Sequence, residues 1–236
     1  MAVMLPIKLG VKNLRMTEEA MRQRRETIIN TAFRLFCEQG IEGVPLTLIA
    51  KKAQVGENTI YRYFGSKDNL VLEAFVKMWD TIMQNVESVV EGVPNYDELS
   101  GYSQIQVWLE GFRQLYLVNR EFVLFSYEAK LYLLRQHIRL DSFQQDMMMH
   151  SFRGPCLAAL DKGKADGSIP VEIDSEDLFY AIWGSIRGYI VKIVIYGELY
   201  GEDSPWESRY EIMEQGILSA LSTGWHSPAG QWRSQA

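Results

Sequence analysis

The chain has 236 residues, 47% apolar and 23% charged, enough for one large or two smaller globular domains, and this excludes a disordered chain. Only Cys37 and Cys156 occur, far apart in sequence, which excludes a disulfide framework, offers no ligand cluster of metal-site spacing and suits a reducing cytoplasm; no metal and no cofactor are expected. The formal charge of −6 hides a division: residues 1–67 carry 11 Lys+Arg against 6 Asp+Glu, net +5, and the remainder 13 against 24, net −11, so a basic head suited to phosphate precedes an acidic body.

Residues 1–16 show no clear period and read as a flexible arm, without the apolar core or cleavage site of a signal peptide. From Thr17, a candidate N-cap, a helix is predicted to Gln39, stopping at Gly40. Its buried face is Ile28, Ile29, Ala32, Phe33, Leu35 and Phe36, and Arg22, Arg24 and Arg25 lie near its start as phosphate contacts or a solvated charged face. Next comes a short helix with Leu46, Ile49, Ala50 and Ala53 at helical spacing and Pro45 suited to its first position. Gln54-Val55-Gly56 breaks it, with Gly56 free to take a positive φ. A second short helix runs from about Glu57 to Phe64, anchored by Ile60 and Phe64. Asn58, Thr59, Tyr61, Arg62 and Tyr63 then have no equivalent internal use. That is a helix-turn-helix layout whose free side chains suit base edges and phosphates of a duplex. Ser66 reads as the next N-cap, with Lys67 beside it as a backbone clamp.

The run TIYRYFGSKDNL, preceded by LIAKKAQVG and by RRETIINTAFRLFCEQG, resembles the DNA-binding domain of the TetR family of bacterial transcriptional regulators, continuously from about Arg24 to Ala74. The resemblance implies double-stranded operator DNA as a partner, contacted by Arg24, Thr47, Asn58, Thr59, Tyr61, Arg62, Tyr63 and Lys67. The family places Thr or Ser at the start of the second helix, where this chain has Val44 and Pro45; Thr47 would supply that hydroxyl.

From Leu70, one helical pattern continues without a breaker to about Val90, and Gly92, Pro94 and Asn95 end it. Helices follow at about Tyr102–Val118, Arg120–Arg135 and Leu140–Gly163, then a loop, KGKADGSIPVEIDS. Asp174 or Ser175 caps a helix to about Tyr196, and Ser204 opens the last helix through a capping box with Glu207. The tail, residues 225–236, is read as flexible. The expected fold is all-α: a three-helix head over residues 17–67, then a larger helical ligand-binding and dimerisation domain over 68–224. The apolar run Tyr189–Tyr196 is far short of a bilayer span, so no membrane partner is expected.

Two constellations stand out in the body. Gly184 and Gly188, four apart in an apolar helix, fit either close packing within the chain or a two-fold interface; the expected arrangement is a homodimer through the last two helices, using Gly184, Gly188, Ile190, Met213, Ile217 and Leu221. The aromatic load of the middle helices reads as core, or as a pocket for a hydrophobic effector, cationic or not, lined by Trp79, Met83, Trp108, Phe112, Tyr116, Phe125, Glu128, Phe152 and Trp183. His137, His150 and His226 are scattered, and neither a nucleophile motif nor a phosphate loop is present, so no enzyme is expected. The implied function is a repressor released from its operator by a small hydrophobic effector, with two alternatives: a regulator whose body binds no small molecule, or a helical enzyme with a nucleic-acid module.

Overall fold

A computed structural model describes residues 9–139, 142–201 and 206–224, with side chains from residue 18 onward except 115–118, 140–151, 198 and 202–207. The expectations for Ser204, for the tail and for the side chain of Tyr116 lie outside these residues. Among the described residues the chain is all-helical with no strand: α1 Leu9–Gln39, α2 Leu46–Lys52, α3 Glu57–Phe64, α4 Lys67–Glu91, a 3-10 turn at Tyr96–Glu98, α5 Gly101–Val118, α6 Arg120–Arg135, α7 Ser142–Asp166, α8 Ser175–Tyr200 and α9 Trp206–Thr223. Helix α1 thus begins at Leu9, ahead of the expected start at Thr17.

Contacts divide the chain into two compact units, and α4 and α6 each have residues in both. Unit 1 is residues 1–75 together with Glu128–Ile138, and unit 2 is Val76–Tyr127 with the rest. The core of unit 1 is the periodic apolar set of its helices: Ile28, Ala32 and Phe36 of α1, Ile49 of α2, Ile60 of α3, and Leu70, Val71 and Phe75 of α4 are fully buried. Burying such a side chain contributes roughly 1.5–3 kcal/mol, which holds these short helices where propensity would not.

In unit 2, α5 and α7 pack most closely, because glycine faces glycine. A Cβ on Gly101 would lie 2.0 Å from the Gly163 nitrogen and 2.3 Å from the Ala159 carbonyl oxygen. Gly184 and Gly188 make no such approach within the chain, since a Cβ on either would meet no atom of it within 4 Å; of the two readings of that pair, packing inside the chain is the one this removes. The start of α5 is capped from across the fold, as the Gly101 N–H donates to Asp166 Oδ2 at 2.9 Å and the Tyr102 N–H to Ser168 Oγ at 3.1 Å. Hydrogen bonds from the Ser168 side chain, then from the backbone N–H groups of Gly101 and Ser168, hold the Asp166 carboxyl below its ordinary pKa.

Helix α8 begins as read from the sequence, with the Asp174 side chain accepting from the backbone of Glu176 and Asp177. Over Ser175–Gly197 it is long and apolar enough to cross a membrane by length and composition, its most apolar 18 residues having a mean hydropathy of 1.4. Its apolarity has two uses within unit 2. Ile186, Ile190 and Val194 are buried in the core, while Leu178, Ala181, Ile182 and Ser185 line a groove beside α9.

Candidate DNA-binding surface and the helical body

Helices α2 and α3 are joined by a four-residue turn built from backbone hydrogen bonds. The Ala53 N–H donates to the Ile49 carbonyl at 2.8 Å and the Val55 N–H to that of Ala50 at 3.0 Å. The left-handed residue in this turn is Gln54, at φ 56°, and not Gly56, which is extended at φ −73° and serves as the α3 N-cap. Pro45 likewise sits one position earlier than expected, as the extended N-cap of α2, with no side-chain cap bond. Gly65, at φ 74°, closes α3 in a conformation that strains any residue with a Cβ.

With Ile60 and Phe64 buried, α3 turns Asn58, Tyr61 and Arg62 outward; Tyr61 is 49% exposed. Thr59 and Tyr63 are half-buried, and the Arg62 guanidinium lies 5.6 Å from the centre of the Tyr63 ring. Thr47 is exposed in the first turn of α2. Ser66 caps α4 as read, its Oγ accepting from the Asn69 N–H at 3.1 Å, and Lys67 beside it donates to the Glu42 carbonyl oxygen at 3.4 Å. Partial burial lowers the Lys67 pKa, while Asp68, Glu42 and Glu128 oppose that shift. Arg24 is exposed on α1, whereas Arg25 is committed to Glu73 at 2.5 Å and to the face of Phe64 at 5.3 Å.

Sequence reading missed the end of α6. Glu128, Tyr132 and Arg135, at spacing i, i+4 and i+7 on one helical face, bind the α1–α2 loop and the start of α4. The Ile41 N–H donates to Glu128 Oε1 at 2.6 Å, the Tyr132 hydroxyl donates to Asp68 Oδ1 at 2.6 Å, and Arg135 pairs with Glu42 at 3.4 Å. Burial, then the bond to Asp68, raises the Tyr132 pKa, so the phenol remains a donor. Glu128, expected in a ligand pocket, belongs instead to this latch. Glu128→Ala is expected to destabilise unit 1 by about 1–3 kcal/mol, since the fully buried Ile41 loses the acceptor of its N–H, and Glu128→Gln is expected to recover most of that loss. Urea denaturation of the two variants checks this; equal losses in both would show that the carboxylate charge, not the acceptor, matters.

Residues 28–74, which span this helix-turn-helix, match the sequence profile described as bacterial regulatory proteins, tetR family. Over these residues the chain is similar to the DNA-binding domain of the tetR family. The transcriptional regulator HbdR of Aromatoleum sp. (strain CIB) is 34% identical over 84 residues, which is 36% of this chain and 37% of HbdR. Across the first curated relatives matched, the chain covers only 37% to 51% of their length. Among solved structures, the fatty acid degradation regulator FadR from Bacillus halodurans is similar over 84% of this chain and 94% of its own, at 16% identity and TM-score 0.61. A regulator from Saccharomonospora viridis in complex with choline is similar over 83% of this chain and 96% of its own, at 16% identity and TM-score 0.57. At such identities the likeness is one of fold: the TetR-type head is followed by a helical body.

In that body the aromatic residues expected to line a pocket converge into a nearly closed core. Trp108, Phe112, Phe152 and Trp183 share a cavity of about 20 Å³, room for little more than one water. The Trp183 ring lies 4.5 Å from Phe152, 4.8 Å from Phe112 and 6.2 Å, edge-on, from Trp79. Met83 and Phe125 are fully buried and do not line that cavity. Along α8 and α9, Met213, Ile217 and Leu221 line an apolar groove of about 340 Å³ with Leu178, Ala181 and Gly216. Ile190, expected at the interface, is 1% exposed and belongs to the core, because its turn of α8 faces inward.

Proposed function

We propose that the protein is a sequence-specific DNA-binding transcriptional regulator, acting as a repressor in the cytoplasm. The observation that carries this is the α2–α3 turn, which buries Ile60 and Phe64 and so leaves Asn58, Tyr61 and Arg62 of α3 facing solvent. Within a head of residues 17–67, Arg62 and Tyr61 read bases, and Thr47, Asn58, Thr59, Tyr63, Lys67 and Arg24 position the duplex backbone. Two copies pair through the exposed apolar face of α8 and α9, where Gly184 and Gly188 meet open space, and a two-fold pair suits a two-fold operator. A small hydrophobic effector held in the body over residues 68–224 shifts α4, which runs unbroken from Lys67 to Glu91, and so weakens DNA binding. The related fold crystallised with choline supports a body of this kind as a ligand holder. The near-closed aromatic cavity favours a second reading, in which the body is structural.

Salt-dependent binding to specific and random duplexes tests the proposal. Lys67→Ala is expected to weaken all sequences alike and to reduce the salt slope by about one, whereas Arg62→Ala costs about 1–3 kcal/mol on preferred sequences only. Unchanged binding by both variants would remove the helix-turn-helix from the function.

A further inference from the structure

Beside the end of α4 the body has an open cleft of about 680 Å³, lined by Glu87 and Glu91 of α4, Tyr96, Asp97 and Glu98 of the 3-10 turn, and Trp108 of α5. Four carboxylates line it, and among the described residues that do so none is a cation. Lys162 reaches the neighbourhood, where its Nζ donates to the Asp97 carbonyl oxygen at 2.6 Å. We propose that this cleft is a binding site for an organic cation, which the carboxylates attract and the half-buried ring of Tyr96 contacts, while Trp108, 3% exposed, forms part of the wall. This rests on the reading of the body as an effector holder and names the effector's chemical class.

Three observations point to that class. The cleft is of ligand size, Glu91, Asp97 and Glu98 on it are exposed, and Tyr96 and Trp108 belong to its lining, so charge and an aromatic ring, the two features that attract an ammonium, stand side by side. The carboxylates are too dispersed for a metal ion: among the described residues no group of three or more His, Cys, Asp or Glu side chains is placed to hold one. The last turns of α4 also carry Glu87 and Glu91 with no basic residue, at the helix end where the backbone dipole is already negative, an arrangement that opposes helix stability. Burial raises the Glu87 pKa, and Glu91 and Asp80 raise it further, as for a carboxylate whose charge is uncompensated.

Trp108 gives the cleft a connection to the core. Its Nε1 donates to the Tyr96 hydroxyl at 2.8 Å, which orients both rings, and it also walls the small cavity that it shares with Phe112, Phe152 and Trp183. One side chain thus separates the open acidic cleft from the aromatic cluster that includes Trp79 of α4. A cation seated in the cleft bears directly on that partition.

The test is calorimetric titration of the full chain, without DNA, with phenyltrimethylammonium and with neutral benzyl alcohol. Saturable binding of the cation is expected, weakened about tenfold by the double substitution Glu87→Gln, Glu91→Gln, with benzyl alcohol bound no more weakly by the variant than by the wild type. The double variant is expected to melt no lower than the wild type, since it relieves repulsion at a helix end; Glu91→Gln, at an exposed position, changes affinity in the same direction should the pair not fold. Absence of saturable cation binding, or equal binding by wild type and variants, overturns the proposal. Because no duplex is present, a failure of the DNA-binding reading leaves these outcomes unchanged, and a cation that binds without altering duplex affinity removes the release mechanism while supporting the site.

Discussion

Trp183→Ala is expected to be the most damaging single truncation in the body. The indole is 7% exposed and lies within 6.2 Å, ring centre to ring centre, of Trp79, Phe112 and Phe152, so one side chain ties α8 to α4, α5 and α7. Removing it forfeits its transfer free energy and leaves a void that the neighbouring rings, fixed by their own packing, fill only in part, a cost of about 3–5 kcal/mol. Guanidinium denaturation followed by circular dichroism gives the loss. Because the void is apolar and continuous with the existing cavity of about 20 Å³, added indole is expected to restore part of the stability. A loss below about 1 kcal/mol would mean that the cluster is loosely packed and that the body is more open than its aromatic core implies.

The second large effect comes from adding one methyl group. Gly101→Ala would place a Cβ 2.0 Å from a backbone nitrogen of α7, and backbone cannot rotate aside, so α5 and α7 must separate at their closest point. Overpacking of this kind costs about 1–3 kcal/mol and occasionally more, and here it also strains the caps that Asp166 and Ser168 provide to the start of α5. Gly188→Ala is the contrasting control. Its Cβ meets open space within the chain, and alanine favours a helix interior by about 1 kcal/mol, so an isolated chain would gain stability from it. If a second copy covers α8, the same methyl group intrudes on the interface, and thermal midpoints measured across a range of protein concentrations will fall most where the wild type is dimeric. A Gly101→Ala variant as stable as the wild type would contradict the close approach of α5 and α7.

Local signals were the most legible part of the sequence, in the head above all. Ser66 caps α4 and Asp174 caps α8 as their side-chain chemistry requires, and Ile60 and Phe64 fix which face of α3 is turned outward. Less legible was everything that depends on which surfaces meet. Helical periodicity marks a buried face but not its partner, so Gly184 and Gly188 could be read as a seam within the chain or between two chains, while the seam the chain does build, Gly101 on Gly163, joins residues more than sixty apart. The turn in the helix-turn-helix was anticipated, yet its positive φ fell to Gln54 because the hydrogen bonds of Ala53 and Val55, not side-chain preference, set the backbone there. Glu128 was legible as a carboxylate in apolar surroundings, but its partner, the Ile41 N–H, lies 87 residues away, and no spacing rule reaches that far.

The central claim, that α3 reads DNA sequence for a two-fold protein, is tested most directly by selecting bound duplexes from a random library with the wild-type chain and with Arg62→Ala. The account predicts that the wild type enriches an inverted repeat, and that Arg62→Ala changes the enriched bases while still retaining duplex. Retention of all sequences alike by the wild type, or the same enriched site with both proteins, would contradict it.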